Sequence, residues 1–401
     1  MDDFSDLGEN YPGKFVCDDC FDDPFIKEFI RNNAASRVCS YTGKKSRVKD
    51  IAAPVDLVIQ LIYDGISRHY GEAWASGSSW DKEDERYINE TWDTDDLLQE
   101  YVELAGDASG ELYDDILGAF PYQDWSRDDP WGATEAEILQ WGWNRFVDTV
   151  RYQRRFFFTR GDKERERDRE EIGLGALLEI FGKRCASNGL LKTIPAGTQM
   201  IRCRARSKRS QRFSGAREMG PPPKELAAQN RMSPAGIPMF YGADDKATAI
   251  AETPDLASRY ALAKFRTLRP MTLLDLSEVK PVSIFDDHDY ADYEWSLFMR
   301  GFLADFTKPV ENRDRIHIDY IPTQVVTEYL RDAILEGNIP IDGIKYRSAR
   351  RKGGFCYVLF TDRYGVEPEL GELSNEDTEK ERWHAPKNGY TLKLISIRHH
   401  G

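Results

Sequence analysis

An arginine, a tyrosine and a glutamate recur at even spacing in the stretch RMSPAGIPMFYGADDKATAIAE, where ten residues lead from Arg231 to Tyr241 and eleven from Tyr241 to Glu252. The run IPMFY is typical of a strand, and the residues that follow it are typical of a helix. A turn from strand to helix brings its two ends together, so Tyr241 and Glu252 can converge on one pocket. A plainer interpretation stays open, in which Tyr241 is a core aromatic residue and Glu252 an exposed helical residue.

Three of the six cysteines lie near the start of the chain, with Cys17 and Cys20 in CDDC and Cys39 in CSYTGKK. Two C-x2-C pairs typically hold a structural zinc ion through four thiolates, but Thr42 stands where the fourth cysteine is expected. A three-cysteine site would need another donor, such as His69 or a nearby acid. Three interpretations remain open: a bound zinc ion, a residual knuckle without metal, and reactive thiols.

The composition limits the classes of partner. Residues 1–150 carry 33 acids and 13 bases, a net charge of −20, whereas the remaining residues carry 36 acids and 42 bases, a net charge of +6. We therefore expect the first part to favour a basic partner over nucleic acid, and the second part to hold a phosphate-bearing ligand. No apolar run reaches the roughly 20 residues of a membrane span, and the acidic start is unlike a signal peptide. We expect a soluble, cytoplasmic protein with no membrane partner.

The elements that must position these residues divide into a helical part and a mixed part. Apolar residues recur at helical spacing in DLVIQLIYDGISRHYG and in the stretch after Thr134. The charged stretch that follows has few apolar anchors and is typical of a linker or a solvated helix. We predict a helical domain over residues 1–159, with the candidate zinc knuckle at 17–42, and a charged linker or helix over 160–184.

The second part alternates strand-like and helix-like runs. Candidate strands are the short apolar runs GTQMIRCRAR, IPMFYGA, MTLLDL and GFCYVLF, and candidate helices are DKATAIAE, YEWSLFMRGFLADF and TQVVTEYLRDAILEG. This alternation predicts a compact mixed domain over 185–370, followed by a tail over 371–401 with one more candidate strand, YTLKLISI. The predicted fold class is α+β.

The run GTQMIRCRAR contains three arginines that strand alternation places on one face: Arg202, Arg204 and Arg206. We expect Arg204 and Arg206 to line a solvated surface, while the alternative, in which both join a phosphate site, stays open.

Four ordered segments, three of which carry five candidate site residues, resemble the motifs of the RES domain family, which is named for its arginine, glutamate and serine. Arg202 in GTQMIRCRAR matches the first arginine, and Arg231, Tyr241 and Glu252 match the central motif. IPTQVVTEYLR resembles the helix before the last strands, and Ser348 in DGIKYRSARRKGGFCYVLF stands in the serine position. The ordered set is more specific than any one of its members.

The resemblance covers roughly residues 195–362 and implies a fold similar to ADP-ribosyltransferases, with NAD as the substrate. RES proteins act as toxins of toxin–antitoxin pairs, so the resemblance implies hydrolysis or phosphorolysis of NAD, and an antitoxin or regulatory protein as a partner. Two alternatives stay open: transfer of ADP-ribose to a protein target, and a non-catalytic scaffold that binds a nucleotide.

The resemblance also implies a role for each residue. Glu252 would stabilise the positive charge that develops when the nicotinamide–ribose bond breaks, with Tyr241 and Arg231 beside it in the catalytic set. Arg202 and Arg231 would bind the pyrophosphate, Tyr241 would stack on nicotinamide or ribose, and the Ser348 hydroxyl would bind the ribose or a carboxamide.

The first part resembles the N-terminal domain that is fused to RES domains and grouped with the helical HEPN proteins. Ribonuclease HEPN domains carry an arginine, a few polar residues and then a histidine. RHYGEAW lacks that spacing, so we do not expect nuclease activity.

Overall fold

The computed structural model describes residues 13–105, 109–158, 171–253, 259–287, 290–308, 313–332, 340–369 and 389–400. By its internal contacts the chain forms two compact units: Met1–Glu135 with Pro281–Leu297, and Ala136–Lys280 with Phe298–Gly401. Most of the predicted linker, residues 160–170, lies outside the described residues, and its last residues belong to a helix. Helices and strands are both abundant, which confirms the α+β class.

The α-helices in the described part of the chain are α1 Pro24–Asn32, α2 Val55–Ser67, α3 Thr94–Tyr101, α4 Ser109–Ala119, α5 Glu135–Asp148, α6 Leu174–Ser187, α7 Ala216–Met219, α8 Lys246–Ala251, α9 Tyr290–Thr307, α10 Ile316–Asp319 and α11 Ile321–Asp332. None of the described helices is both long enough and apolar enough to cross a membrane.

The strands are β1 Phe15–Cys17, β2 Ala52–Pro54, β3 Tyr70–Glu72, β4 Trp80–Asp81, β5 Arg86–Tyr87, β6 Trp92–Asp93, β7 Asp124–Arg127, β8 Leu191–Ile194, β9 Gln199–Ala205, β10 Phe240–Ala243, β11 Tyr260–Thr267, β12 Met271–Asp275, β13 Gly343–Arg347, β14 Phe355–Leu359, β15 Val366–Glu367 and β16 Leu392–His400.

The first unit is mainly helical, with two two-stranded sheets and one three-stranded sheet, β3-β7-β6, between the helices. The predicted helix α2 buries Val58, Ile62 and Ile66 at helical spacing, as the pattern requires. Helix α1 begins after Asp23, whose side chain accepts hydrogen bonds from two backbone N–H groups of the first turn. The buried core of this unit includes Phe285, which lies in the segment Pro281–Leu297.

The second unit is built on a nine-stranded sheet with the order β15-β16-β11-β9-β10-β14-β13-β12-β8. The pairs β12–β13 and β15–β16 are parallel, and the other neighbours are antiparallel. Phe240 of β10 and Phe265 of β11 are fully buried and meet edge to face at a centroid distance of 5.0 Å. Strands β9 and β10, which carry Arg202 and Tyr241, and β13, which ends just before Ser348, therefore lie in one sheet, and β10 stands next to β9 at its centre.

Candidate active site

Glu252 lies at the C-terminal end of α8, the short helix that follows β10. The helix begins where the Asp245 side chain accepts hydrogen bonds from the N–H groups of Ala247, at 2.7 Å, and Thr248, at 2.9 Å. The cap fixes where α8 starts after β10, and therefore where Glu252 lies relative to Tyr241 in that strand.

Ser348 contacts Glu252 directly. Its hydroxyl donates a hydrogen bond to Glu252 Oε1 at 2.6 Å, and the hydroxyl oxygen accepts one from the backbone N–H of Arg351 at 3.0 Å. Ser348 itself is held at the end of β13, because its N–H donates to the carbonyl of Gly354 at 2.9 Å. The tight turn between β13 and β14 therefore fixes Ser348, and Ser348 in turn orients the Glu252 carboxylate.

The same turn is tied to the start of α8. The Arg351 guanidinium donates to the Asp245 carboxylate and to Thr248 Oγ1, the latter at 2.7 Å. Burial raises the pKa of Asp245, but hydrogen bonds from Thr248, Arg351 and Ala247 outweigh it and lower the pKa to about 2. A Cβ atom on Gly354 would lie 2.3 Å from Thr248 Oγ1, so the close approach of turn and helix requires glycine there.

Tyr241 points its hydroxyl at Ser233, with 2.8 Å between the two oxygens. Burial raises the pKa of Tyr241 to about 12, although the Ser233 hydrogen bond and the charges of Arg202 and Arg231 act in the opposite direction. The phenol is therefore neutral near pH 7, and it can donate a hydrogen bond but does not serve as a base at that pH.

Arg202 carries a buried donor with no acceptor. Its Nη1 finds no hydrogen-bond partner among the described residues, although the guanidinium lies over the Phe240 ring, 5.5 Å from the centroid. Burial, aided by the charge of Arg204, lowers the pKa of Arg202 to about 10, so it remains a cation at neutral pH. A buried donor without a partner is uncommon in folded proteins and points to an absent acceptor.

Arg202 and Tyr241 line one pocket of about 210 Å³, together with Arg204, Asn230 and Ser233. The pocket combines two cations with neutral donors and acceptors, which suits an anionic ligand.

Arg231 is fixed at both its backbone and its side chain. Its guanidinium donates to the carbonyl of Thr307, and its own carbonyl accepts a hydrogen bond from the Thr323 hydroxyl. The Arg231 charge acts on the pKa of Tyr241 and of the buried Tyr346. Arg231 therefore contributes positive potential to the same part of the unit as Tyr241.

Two residues near Glu252 were not selected from the sequence. Tyr346 and Cys356 are paired across β13 and β14, and both are buried. Burial, with the Glu252 charge adding to it, raises the pKa of the Cys356 thiol to about 12. Burial likewise raises the pKa of Tyr346 well above its ordinary value. A buried tyrosine and cysteine in two apolar strands look like ordinary core residues, so only the pairing of β13 with β14 places them near Glu252.

The expectation of a solvated surface was wrong for Arg206, whereas Arg204 is exposed. Arg204 lines the pocket beside Arg202, and its guanidinium lies 4.8 Å from the centroid of the Phe213 ring. Arg206 follows the end of β9 and is 2% exposed, because its guanidinium donates to the carbonyls of Gln211, at 2.7 Å, and His400, at 3.0 Å. A buried arginine is stable only when carbonyls satisfy its donors in this way.

In the first unit, Cys17, Cys20 and Cys39 converge in the core and are fully buried. Thr42, which stands where the fourth cysteine is expected, lies next to the cluster, with its Oγ1 3.7 Å from Cys17 Sγ. His69 instead stacks against the Tyr293 ring, with 5.5 Å between centroids.

Comparison with protein-family models gives two matches. The model described as RES domain matches residues 200–379, and the model described as HEPN/RES N-terminal domain 1 matches residues 32–164. Searches of curated proteins and of solved structures found no match. The five candidate residues of the active site all lie within the RES match, whereas Cys17 and Cys20 precede the other match. The chain is therefore a RES-domain protein with a HEPN/RES N-terminal domain.

Proposed function

We propose that the protein cleaves the bond between nicotinamide and ribose in NAD, with Glu252 as the catalytic carboxylate. The RES domain is consistent with an NAD-acting enzyme of toxin-like function. The observation that carries the proposal is the hydrogen bond of 2.6 Å from Ser348 to Glu252, which holds one carboxylate in a fixed orientation. Both residues are members of the set that the sequence analysis selected.

One carboxylate suits this bond cleavage. The electron pair of the breaking bond goes to the pyridinium nitrogen, so nicotinamide leaves as a neutral molecule and needs no proton from an acid. The ribose carbon then carries positive charge, which a nearby carboxylate stabilises. Water or phosphate adds to that carbon and loses a proton, giving ADP-ribose or its 1-phosphate.

The arginines supply the binding part of the site. The pyrophosphate of NAD would provide the acceptor that Arg202 Nη1 lacks, and a planar guanidinium binds such oxygens in pairs. Arg231 adds positive potential close to Tyr241. The neutral Tyr241 hydroxyl remains available as a donor toward the ribose or the carboxamide, and its ring as a surface for stacking.

The proposal is tested by incubating the intact chain with NAD, in phosphate and in a phosphate-free buffer, and by identifying the products. We expect nicotinamide release in at least one buffer. ADP-ribose as the second product identifies hydrolysis, and its 1-phosphate identifies phosphorolysis. Release that occurs only when a protein acceptor is added would replace this proposal by ADP-ribosyl transfer. Binding of NAD with no release under any of these conditions would reduce the second unit to a nucleotide-binding module.

A further inference from the structure

We propose that Cys17, Cys20 and Cys39 bind one structural zinc ion, with the Thr42 hydroxyl at the fourth coordination position. The proposal concerns the first unit and does not depend on NAD cleavage. The ion would hold together a part of the chain in which regular structure is sparse.

The distances fit a single tetrahedral ion. Cys20 Sγ lies 3.8 Å from Cys17 Sγ and 3.7 Å from Cys39 Sγ. A zinc ion with Zn–S bonds of about 2.3 Å requires edges of about 3.8 Å between its sulfur ligands. The distance of 3.7 Å from Thr42 Oγ1 to Cys17 Sγ is close to the roughly 3.6 Å that a mixed oxygen–sulfur edge requires.

The neighbouring carboxylates are engaged elsewhere. Asp18 accepts a hydrogen bond from Arg31 at 2.7 Å, and Asp19 accepts one from Lys44 at 2.5 Å. Asp18 and Asp19 also each bring a carboxylate oxygen within 4.8 Å of Cys17 Sγ, but both are paired with cations, so we assign the site to the three buried thiols and the Thr42 hydroxyl. Soft thiolates select zinc over magnesium or calcium, and binding displaces the three thiol protons.

The backbone around Cys39 forms the turn that such a site needs. The Cys39 N–H donates to the carbonyl of Lys44 at 2.9 Å, and the Gly43 N–H donates to the carbonyl of Cys39 at 3.1 Å. Gly43 has a φ of +66°, a conformation that glycine adopts without strain. The turn places Thr42 beside the thiols and leaves it exposed at the surface.

The surroundings explain what the ion would stabilise. Residues 33–51, between α1 and β2, form no helix or strand, and isolated bridges such as Val38 to Lys45 are the pairings that they make. Structureless loops longer than about 12–15 residues are uncommon in compact domains unless something fixes them. A zinc ion would join this loop, through Cys39, to β1 and the turn that follows it.

Zinc content of the intact chain tests the site. We expect about one zinc ion per chain after dialysis, and near-complete loss of zinc in Cys39→Ser and Cys20→Ser. Cys185→Ser is the matched control, because Cys185 is equally buried but lies in α6 of the second unit. Full zinc content in Cys39→Ser, or no zinc in the intact chain, overturns the proposal, and iron in place of zinc overturns the identity of the ion.

If Cys39→Ser fails to fold, the wild-type chain still decides the question. Three thiols should resist a thiol reagent in the zinc-loaded protein and react after a chelator removes the metal. Equal reactivity before and after chelation contradicts a metal site.

Cobalt(II) substitution tests the fourth position separately, because its absorption reports how many thiolates bind. We expect a three-thiolate spectrum for the wild-type chain, a four-thiolate spectrum for Thr42→Cys, and weaker cobalt binding for Thr42→Val. A spectrum and affinity that do not change in either Thr42 variant would retain the three-cysteine site and reject the role of Thr42.

Discussion

Ser348 and Glu252 are the residues on which the proposed chemistry depends most directly. Their hydrogen bond joins the turn after β13 to the end of α8, and it is made by two side chains that lie 96 positions apart in the sequence. On the proposed mechanism Ser348 would act as a positioning residue for the Glu252 carboxylate, and its effect should appear in turnover more than in binding.

Ser348→Ala should lower kcat for NAD cleavage by about 10-fold or more, with a small change in KM, because a hydrogen bond to a charged group contributes about 1.5–3 kcal/mol. Ser348→Thr keeps a hydroxyl and should recover most of the activity. Ser187→Ala, at the exposed end of α6, is the matched control. An equal loss in the alanine and threonine variants would argue against the hydrogen bond as the cause.

Arg202→Lys should raise KM for NAD by roughly 10-fold with a smaller effect on kcat, because lysine keeps the charge and loses the planar fork. The exposed Arg398 provides the control Arg398→Lys.

Since burial lowers the pKa of Arg202 to about 10, binding of NAD should weaken as the pH rises toward that value, while the cation persists at lower pH. Initial rates over a range of NAD concentrations and pH values measure both effects, and an unchanged KM in Arg202→Lys would remove Arg202 from the pyrophosphate site.

At the scale of single residues, the sequence predicted candidate site residues where their types and order match a known motif. The resemblance to the RES domain family selected Glu252 and Ser348, and the structure places their side chains in contact. The positions of Tyr346 and Cys356 near Glu252 depend on the pairing of β13 with β14, which no local pattern contains. Arg206 was misjudged because burial of an arginine depends on carbonyls supplied by distant parts of the chain.

At the scale of elements, α8 and the turn between β13 and β14 together hold Glu252 and Ser348 in position. Asp245 caps the helix and also accepts a hydrogen bond from Arg351 of the turn. A short helix of this kind depends on its cap and its tertiary contacts for stability.

Asp245→Ala should lower the free energy of unfolding by about 1 kcal/mol through loss of the cap, whereas Asp245→Asn retains a good capping residue. The folded-state pKa of Asp245, about 2, lies below its ordinary value of 3.8. Its contribution to stability is therefore complete above the ordinary value and is lost as the pH falls through about 2. Urea unfolding at several acidic pH values should show this loss in the wild-type chain and not in Asp245→Asn, and parallel pH profiles would contradict it.

Some elements, among them α2, β9 and β14, followed from local apolar pattern. The strand β11 was not predicted, although it lies inside the sheet between β9 and β16. Its sequence YALAKFRT is rich in alanine, which has a weak preference for strands, so its conformation depends on pairing with both neighbours.

At the scale of the whole molecule, chain order and structural units do not coincide. The segment Pro281–Leu297 belongs to the first unit, and Ile284 and Phe285 are buried in its core. The segment carries five acids and no lysine or arginine, which resembles the acidic first part of the chain, but the sequence analysis predicted one continuous second domain over 185–370. That boundary stays a prediction, and the charge contrast between the two parts of the chain remains the clearest sign of division that the sequence carries.

The last strand, β16, pairs with β11 from Tyr260 to Thr267. A chain that ends at residue 370 should therefore expose the edge of β11, lose thermal stability and aggregate. Light scattering and thermal unfolding of this truncated chain beside the full chain measure the effect. Equal thermal stability and solubility would show that β16 is dispensable to the sheet.

The most direct test of the central claim is the rate of nicotinamide release from NAD by the intact chain, compared between wild type, Glu252→Gln and the control Glu179→Gln on the exposed face of α6. Loss of a catalytic carboxylate should reduce kcat by about 100-fold or more, with folding and NAD binding retained. The proposal predicts that loss in Glu252→Gln alone. Wild-type turnover in a folded Glu252→Gln variant would contradict it.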